Sequence, residues 1–310
     1  MTFAPRRLLA ATALAFAAVT SAAPTLAQTS VNAFKGPITT TEIGGGLYQL
    51  SAGSNAVLAV GTDGAILIDS LFNDPAKLVA SVERVTDRPV RYVVNTHAHL
   101  DHTAGNAVYA GKGARIVATK LAARAMQMPF TGGDGKPRPP IDKAGWPSVT
   151  YDKPATIAIP GQSLRLIPVR NAHGEGDAMV FFAKQNVLVM GDLHHSHEYP
   201  VWDAATGCTC GSYDGNLAVY RQALRLANAQ TRIVPGHGGL TNKAEMTAYV
   251  AMLEKVRDQV KAMIAQGKTK DEVVAARLLA DDRSPQPGGP DNRDAFVGTL
   301  YTALKTGVGA

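Results

Sequence analysis

The stretch Asn95-Thr96-His97-Ala98-His99-Leu100-Asp101-His102 places four candidate metal ligands within six residues. Before it, Val90-Arg91-Tyr92-Val93-Val94 is apolar and β-branched and reads as a buried strand. After it, Thr103-Ala104-Gly105-Asn106 reads as a turn into a short helix. The ligands therefore sit where a strand ends, on a rigid platform at the open end of an α/β layer. In extended backbone, residues i and i+2 point the same way, so His97 and His99 can offer two imidazoles to one ion. Asp101 and His102, carried round by the turn, can face a second ion. Imidazole and carboxylate without thiolate suit Zn²⁺, and also Fe, Mn or Ni. A histidine-rich surface loop would hold the same residues, but it would not call for the further ligands that the chain supplies downstream.

Those ligands follow in order. His173 lies in Asn171-Ala172-His173-Gly174-Glu175-Gly176-Asp177, Asp192 ends the apolar run Val187-Leu188-Val189-Met190-Gly191, and His237 lies in Val234-Pro235-Gly236-His237-Gly238-Gly239. All eight histidines are accounted for: five at these positions, and His194, His195 and His197 directly after Asp192. The run from His97 to His102 resembles the H-x-H-x-D-H signature of the metallo-β-lactamase superfamily, and the resemblance extends over roughly residues 45 to 280. It implies an α/β fold, an αββα four-layer sandwich. It implies a first metal on His97, His99 and His173, a second on Asp101, His102 and His237, and Asp192 bridging the two. The alternative for Asp192 is a hydrogen-bonded carboxylate beside one metal.

The cofactor expectation is two Zn²⁺, with Fe or Mn as alternatives. Such a pair holds a hydroxide at neutral pH that attacks an acyl centre while a metal polarises the substrate oxygen. Asp101 is the expected orienter of that nucleophile. His195 is the candidate hydrogen-bond donor to the developing oxyanion, with His197 behind it. The alternative for both is a histidine behind the ligands or in the loop with no step to perform. The substrate expectation is a small acyl compound, β-lactams first and lactones, esters or glyoxalase-II-like thioesters next. No lysine or serine pair to grip a β-lactam carboxylate follows Asp192. The flavo-di-iron branch replaces the second histidine with glutamate, against His99 here. An iron-dependent sulfur dioxygenase, or a protein that binds metal without turnover, would share the outline.

Residues 1–27 read as a secretory signal peptide: Arg6 and Arg7, an apolar run from Leu8 to Val19, and Thr25-Leu26-Ala27 as a cleavage site. The run is short for a bilayer span. The expectation is a periplasmic or secreted bacterial protein without a stable membrane anchor after processing, with residues 28–310 forming one domain. The net charge of +6 falls to +4 without Arg6 and Arg7, too small a surplus to imply nucleic acid as a partner. Cys208 and Cys210 are the only cysteines, bridged in a tight loop, free, or holding a third metal.

Along the chain, residues 28–45 read as a loose entry. Strands are expected at 47–50, 55–60 and 65–69, with Asp63-Gly64 as a two-residue hairpin turn. A helix is expected from Pro75 to Val85, capped by Asn73 or Asp74. Residues 127–153, broken by glycines and prolines and carrying Phe130 and Trp146, read as a flap over the site. Strands at 155–159, 164–169, 178–182 and 187–190 precede a second long loop, 193–212, with Trp202. Trp146 and Trp202 are candidate substrate contacts. Helices are expected at 216–229, 243–266, 269–279 and 294–305, the third opened by a Thr269/Glu272 capping box.

Overall fold

The computed structural model describes residues 36–131, 136–196, 198–203, 210–282 and 290–310. The expected signal peptide, His197 and Cys208 lie outside the described residues. Strands β1 (Thr39–Gly44), β2 (Leu47–Ala52), β3 (Ser54–Val60), β4 (Ala65–Ile68), β5 (Val90–Val94), β6 (Arg115–Thr119) and, after a small hairpin of β7 (Phe130–Thr131) and β8 (Pro137–Arg138), β9 (Val149–Tyr151) supply the first sheet. Its order is β1-β2-β3-β4-β5-β6-β9. Strands β10 (Ala155–Ile159), β11 (Gln162–Pro168), β12 (Ala178–Phe182), β13 (Val187–His195), β14 (Arg232–His237) and β15 (Thr241–Asn242) form the second sheet in sequential order.

Alternation along the central strands explains the layering. In β4, Ile66 and Ile68 face the second sheet, while Ala65 and Leu67 face the helix Pro75–Glu83. In β13, Val187 and Val189 face the first sheet, and Leu188 and Met190 pack under the helices Tyr213–Leu226 and Lys243–Ala265. Both faces are buried, so these strands read as continuous apolar runs rather than alternating ones. Each fully buried aliphatic side chain contributes roughly 1.5–3 kcal/mol. Helices Lys270–Ala275 and Pro290–Thr306 complete the outer layer on the second sheet. The result is the αββα sandwich.

The parallel pairs set the position of the functional residues. β4 and β5 run parallel, as do β13 and β14. Their carboxyl ends deliver Asp69, the His97 stretch, Asp192 and His237 to a common edge, where α/β layers ordinarily place their sites. β3 stitches the halves together. Asn55 Nδ2 donates to the carbonyls of Pro235 (3.0 Å) and Gly238 (2.8 Å), and Ser54 Oγ donates to the Asp101 carbonyl at 2.6 Å.

Several local expectations are corrected. The entry segment contains β1, a polar edge strand whose exposed face hid it from apolar pattern reading. Val60 pairs with Ala65, so the β3–β4 connection is a four-residue loop and not an Asp63-Gly64 two-residue turn. Docking on the second sheet shapes it: Thr62 N donates to the Pro160 carbonyl at 2.8 Å. β13 continues past Met190 to His195 because it pairs with the extended end of β14, which shortens the following loop. The helix expected at 269–279 spans only Lys270–Ala275, behind the Thr269/Glu272 capping box that is present as expected. Asp74 caps the first long helix by accepting from Ala76 N. No helix among the described residues is long and apolar enough to cross a membrane.

Candidate metal centre

The fold gathers the seven expected ligands into two groups. His97, His99, His173 and Asp192 form one; Asp101, His102, His237 and Asp192 form the other, with the ligand atoms of each group within 4.8 Å of one another. Asp192 is common to both. It sits in β13 between Gly191 and the approaching end of β14. A Cβ on Gly236 would overlap Oδ1 of Asp192, so only glycine lets the two strands close on this carboxylate.

Each imidazole is oriented by its second nitrogen. Nδ1 of His102 donates to Oδ2 of buried Asp69 at 2.9 Å. Thr96 Oγ1 donates to the same oxygen at 2.7 Å and accepts from Nδ1 of His97 at 3.0 Å. Nδ1 of His173 donates to the Val201 carbonyl at 2.8 Å, and Nδ1 of His237 donates to the Gly53 carbonyl at 2.9 Å. Nε2 of His99 lies 3.1 and 3.2 Å from the two Asp203 oxygens. These partners fix the tautomers. They leave Nε2 of His97, His102, His173 and His237, and Nδ1 of His99, presenting lone pairs to the centre.

That convergence matches a cation. Nε2 of His173 and Nδ1 of His99 face each other at 3.1 Å. Nε2 of His102 lies 2.9 Å from Asp192 Oδ1 and 3.3 Å from Asp101 Oδ2. Nε2 of His237 lies 3.2 Å from Asp101 Oδ2 and 3.3 Å from Asp192 Oδ2. Ligands about 2.0–2.1 Å from a tetrahedral ion stand roughly 3.3 Å apart. Nε2 of His97, Nε2 of His102 and Oδ1 of Asp192 are buried without a hydrogen bond, which is costly unless a cation completes them. The residues present therefore fit a divalent metal site.

In the metal-free chain, protons take the cations' place. Burial opposes charge on His99 and His237, yet the carboxylate of Asp203 holds His99 at about 9, and those of Asp192 and Asp101 hold His237 at about 10. Burial and the His99 charge push His173 down to about 4. Asp192 is held well below the usual carboxylate range, against its burial, by His102, His237 and His97. Metal binding must displace such protons, so it competes with acid.

His195 lies beside the centre, with Nε2 3.5 Å from Asp192 Oδ2. His194, one residue earlier on the strand, points the other way onto Tyr220 and Tyr249. Trp146 packs against the cluster of Ala118, Ala122, Met126 and Ile141, on which Ala98 and Leu100 of the ligand stretch also rest, and its Nε1 donates to the Ile141 carbonyl at 3.1 Å. The expected flap is thus in part a structural insertion: β9 extends the first sheet and Trp146 packs on the small cluster around Ile141. Trp202 is corrected more fully. It is 1% exposed, packed against Tyr213 in the helix-side core, with no face open to a substrate. Cys210 is disulfide-bonded, its Sγ 3.9 Å from Asp203 Oδ2. Asp69, Thr96 and Asp203 were missed by sequence reasoning. Asp69 carried a signal, since an acid ending the apolar run Ala65–Ile68 stands at a strand end as His97 does.

Residues 52–237 match the family model of the metallo-beta-lactamase superfamily. The chain belongs to this superfamily. Solved superfamily structures share its fold: a metallo-beta-lactamase from Pontibacter korlensis (19% identity, 70% of this chain and 99% of that one, TM-score 0.55) and a stereoselective inverting sec-alkylsulfatase from Pseudomonas sp. (16% identity, 86% of this chain and 50% of that one, TM-score 0.57). Among curated proteins, the alpha subunit of a 2,4-dinitroanisole O-demethylase from Nocardioides sp. is 25% identical over 159 residues, 50% of this chain and 46% of the relative. The match spans just under half the length of that relative.

Proposed function

We propose that this superfamily member is an exported hydrolase that holds two divalent metal ions, zinc by preference, and cleaves an acyl bond in a small molecule. The observation that carries the reading is the sharing of Asp192 by two ligand groups whose inward ring nitrogens converge. Metal ions bound there would supply a nucleophile from water at neutral pH and polarise a substrate oxygen. The chain's own residues do the rest. Asp101, between His102 and His237, orients the attacking water. Asp192 balances the charge of both groups. Nε2 of His195 is placed to donate a hydrogen bond to the oxyanion.

The substrate class proposed first is a β-lactam, on the support of the fold shared with solved metallo-beta-lactamases over about 70% of the chain. Lactones, carboxylic esters and thioesters are the comparison classes. The alkylsulfatase likeness adds a sulfate ester to the panel. The test is turnover by the purified, metal-loaded protein of a chromogenic cephalosporin, a lactone, a p-nitrophenyl ester, a thioester and a p-nitrophenyl sulfate. Turnover on any acyl compound that a chelator removes, and that H97A and D101A lose while still folded, supports the reading. Wild-type turnover in either metal-loaded variant overturns the site. Iron content with oxygen consumption would replace the hydrolase by a dioxygenase.

A further inference from the structure

A cleft of about 410 Å³ lies between the end of β11 and the helix Tyr213–Leu226, and none of the seven metal-ligand candidates lines it. Val169 and Arg170 border it on the strand side. Ala218, Val219, Gln222 and Arg225 border it on the helix side, spaced so that they share one helix face. Its volume suits a small organic molecule. Val169 and Val219 are buried, whereas Arg170 and Arg225 are exposed. Among the described residues, neither guanidinium makes an ion pair or a side-chain hydrogen bond. Asp152 is the one acid in the lining, and Lys120 Nζ already holds its Oδ2 at 2.8 Å. Two positive charges therefore face one cleft with no anion of the chain set between them, which draws anions to it.

The walls are fixed to each other from below. Ser212 Oγ donates to the Asn171 carbonyl at 2.9 Å, and Asn216 Nδ2 and Ser212 N donate to the Ala172 carbonyl at 2.9 and 2.8 Å. A Cβ on Gly215 would fall on the Asn171 carbonyl oxygen, so only glycine lets the helix come this close to the chain that follows Arg170. On the strand side, Val169 N donates to the Asp177 carbonyl at 2.9 Å. The cleft is thus formed before any ligand arrives, which lowers the cost of binding.

We propose that this cleft is a second binding site, separate from the metal centre, for a small organic anion. A carboxylate or phosphate headgroup would lie between Arg170 and Arg225, whose planar forks match either group bidentately. Gln222 would add an amide donor, and an apolar body would rest on Val169, Ala218 and Val219. The site does not depend on the hydrolase reading.

The test is titration of the metal-loaded protein with 3-phenylpropionate, phenyl phosphate and the neutral 3-phenylpropanamide, followed by ¹H–¹⁵N NMR. At least one anion is expected to shift the backbone amides of Arg170, Ala218, Gln222 and Arg225 saturably, and the neutral amide is not. The anion that binds more tightly identifies the headgroup. R170A and R225A are each expected to weaken binding roughly 10-fold or more, with wild-type thermal unfolding and metal content. R170K and R225K, which keep the charge but lose the fork, recover only part of the loss. R221A is the control for general surface charge, since Arg221 lies on the same helix and is paired with Glu254; it should leave the affinity unchanged. Three results would each overturn the proposal: no saturable shift at the cleft with either anion, equal binding of the neutral amide, or equal weakening by R221A. Shifts confined to the surroundings of the metal ligands and unchanged in R170A and R225A would also overturn it, by placing the anion on the metal.

Discussion

Asp69 is the deepest support of the centre, and its substitution gives the sharpest quantitative expectation. One carboxylate accepts three hydrogen bonds, from Thr96 N at 2.8 Å, Thr96 Oγ1 at 2.7 Å and His102 Nδ1 at 2.9 Å. Through Thr96 it also orients His97, so it touches both ligand groups. Burial raises its pKa, against the pull of His102. Asp69→Ala strands three buried donors at about 1–3 kcal/mol each, roughly 3–9 kcal/mol in total, which threatens a domain of ordinary stability. Asp69→Asn is the finer probe. Asn keeps an acceptor for Thr96 N but turns an NH₂ toward His102 Nδ1 and Thr96 Oγ1. Donor then meets donor, and His102 is driven to the tautomer whose proton sits on Nε2, the nitrogen needed by the metal. The left-handed backbone at this position, φ 59°, is one that Asn tolerates. The expected result is a folded protein whose metal affinity falls roughly 10–100-fold. Competition with a chromophoric chelator measures the affinity, and thermal unfolding of the metal-free protein checks the fold. A folded D69N that binds metal as tightly as the wild type would refute the tautomer reasoning.

Three further expectations use different residues. Gly236→Ala forces a methyl into Asp192 and the β13 backbone; it should cost about 1–3 kcal/mol by overpacking and lower the metal content per chain, and full metal content at wild-type stability would refute the close approach. Trp202→Ala should destabilise by about 3–5 kcal/mol in denaturant unfolding, whereas an unchanged midpoint with altered Michaelis constants would return this indole to the substrate pocket. Asp177, buried and accepting from the backbone of His173 and Gly174, has its pKa pushed up from 3.8 to about 7 by burial. Its contribution to stability is therefore full below pH 4 and is lost as pH rises through about 7. Asp177→Asn, which cannot ionise, should match the metal-free wild type in acid and exceed it at pH 8 in thermal unfolding, and a difference that stays constant with pH would contradict the assignment.

Six of the seven ligands carry local signals, and His173 and the grouping of the ligands followed from the resemblance. His97 to His102 follow one strand end, and Asp192 and His237 each end an apolar run. The supports of those ligands were not legible. Asp203 reaches His99 across 104 residues, and Asp69 reaches His102 across 33. Such pairings exist only after two sheets have packed, and a lone carboxylate carries no mark of its partner. The fold class followed from the resemblance that the ligand motif carries, and the continuous apolar strands buried on both faces agree with it. The misread parts were those that tertiary pairing overrides. β1 is polar because it is an edge, and β13 runs on through His194 and His195 because β14 lies alongside. Trp202 looked like a pocket residue because it sits outside the regular elements, yet its side chain, with that of Tyr199, packs into the helix-side core.

The most direct test of the central claim is metal stoichiometry by mass spectrometry on the loaded mature protein, wild type beside Asp192→Ala. Two divalent ions per chain in the wild type, and at most one in D192A at retained secondary structure, is the predicted result. One ion per chain in the wild type, or two in D192A, would contradict a centre built around a shared Asp192.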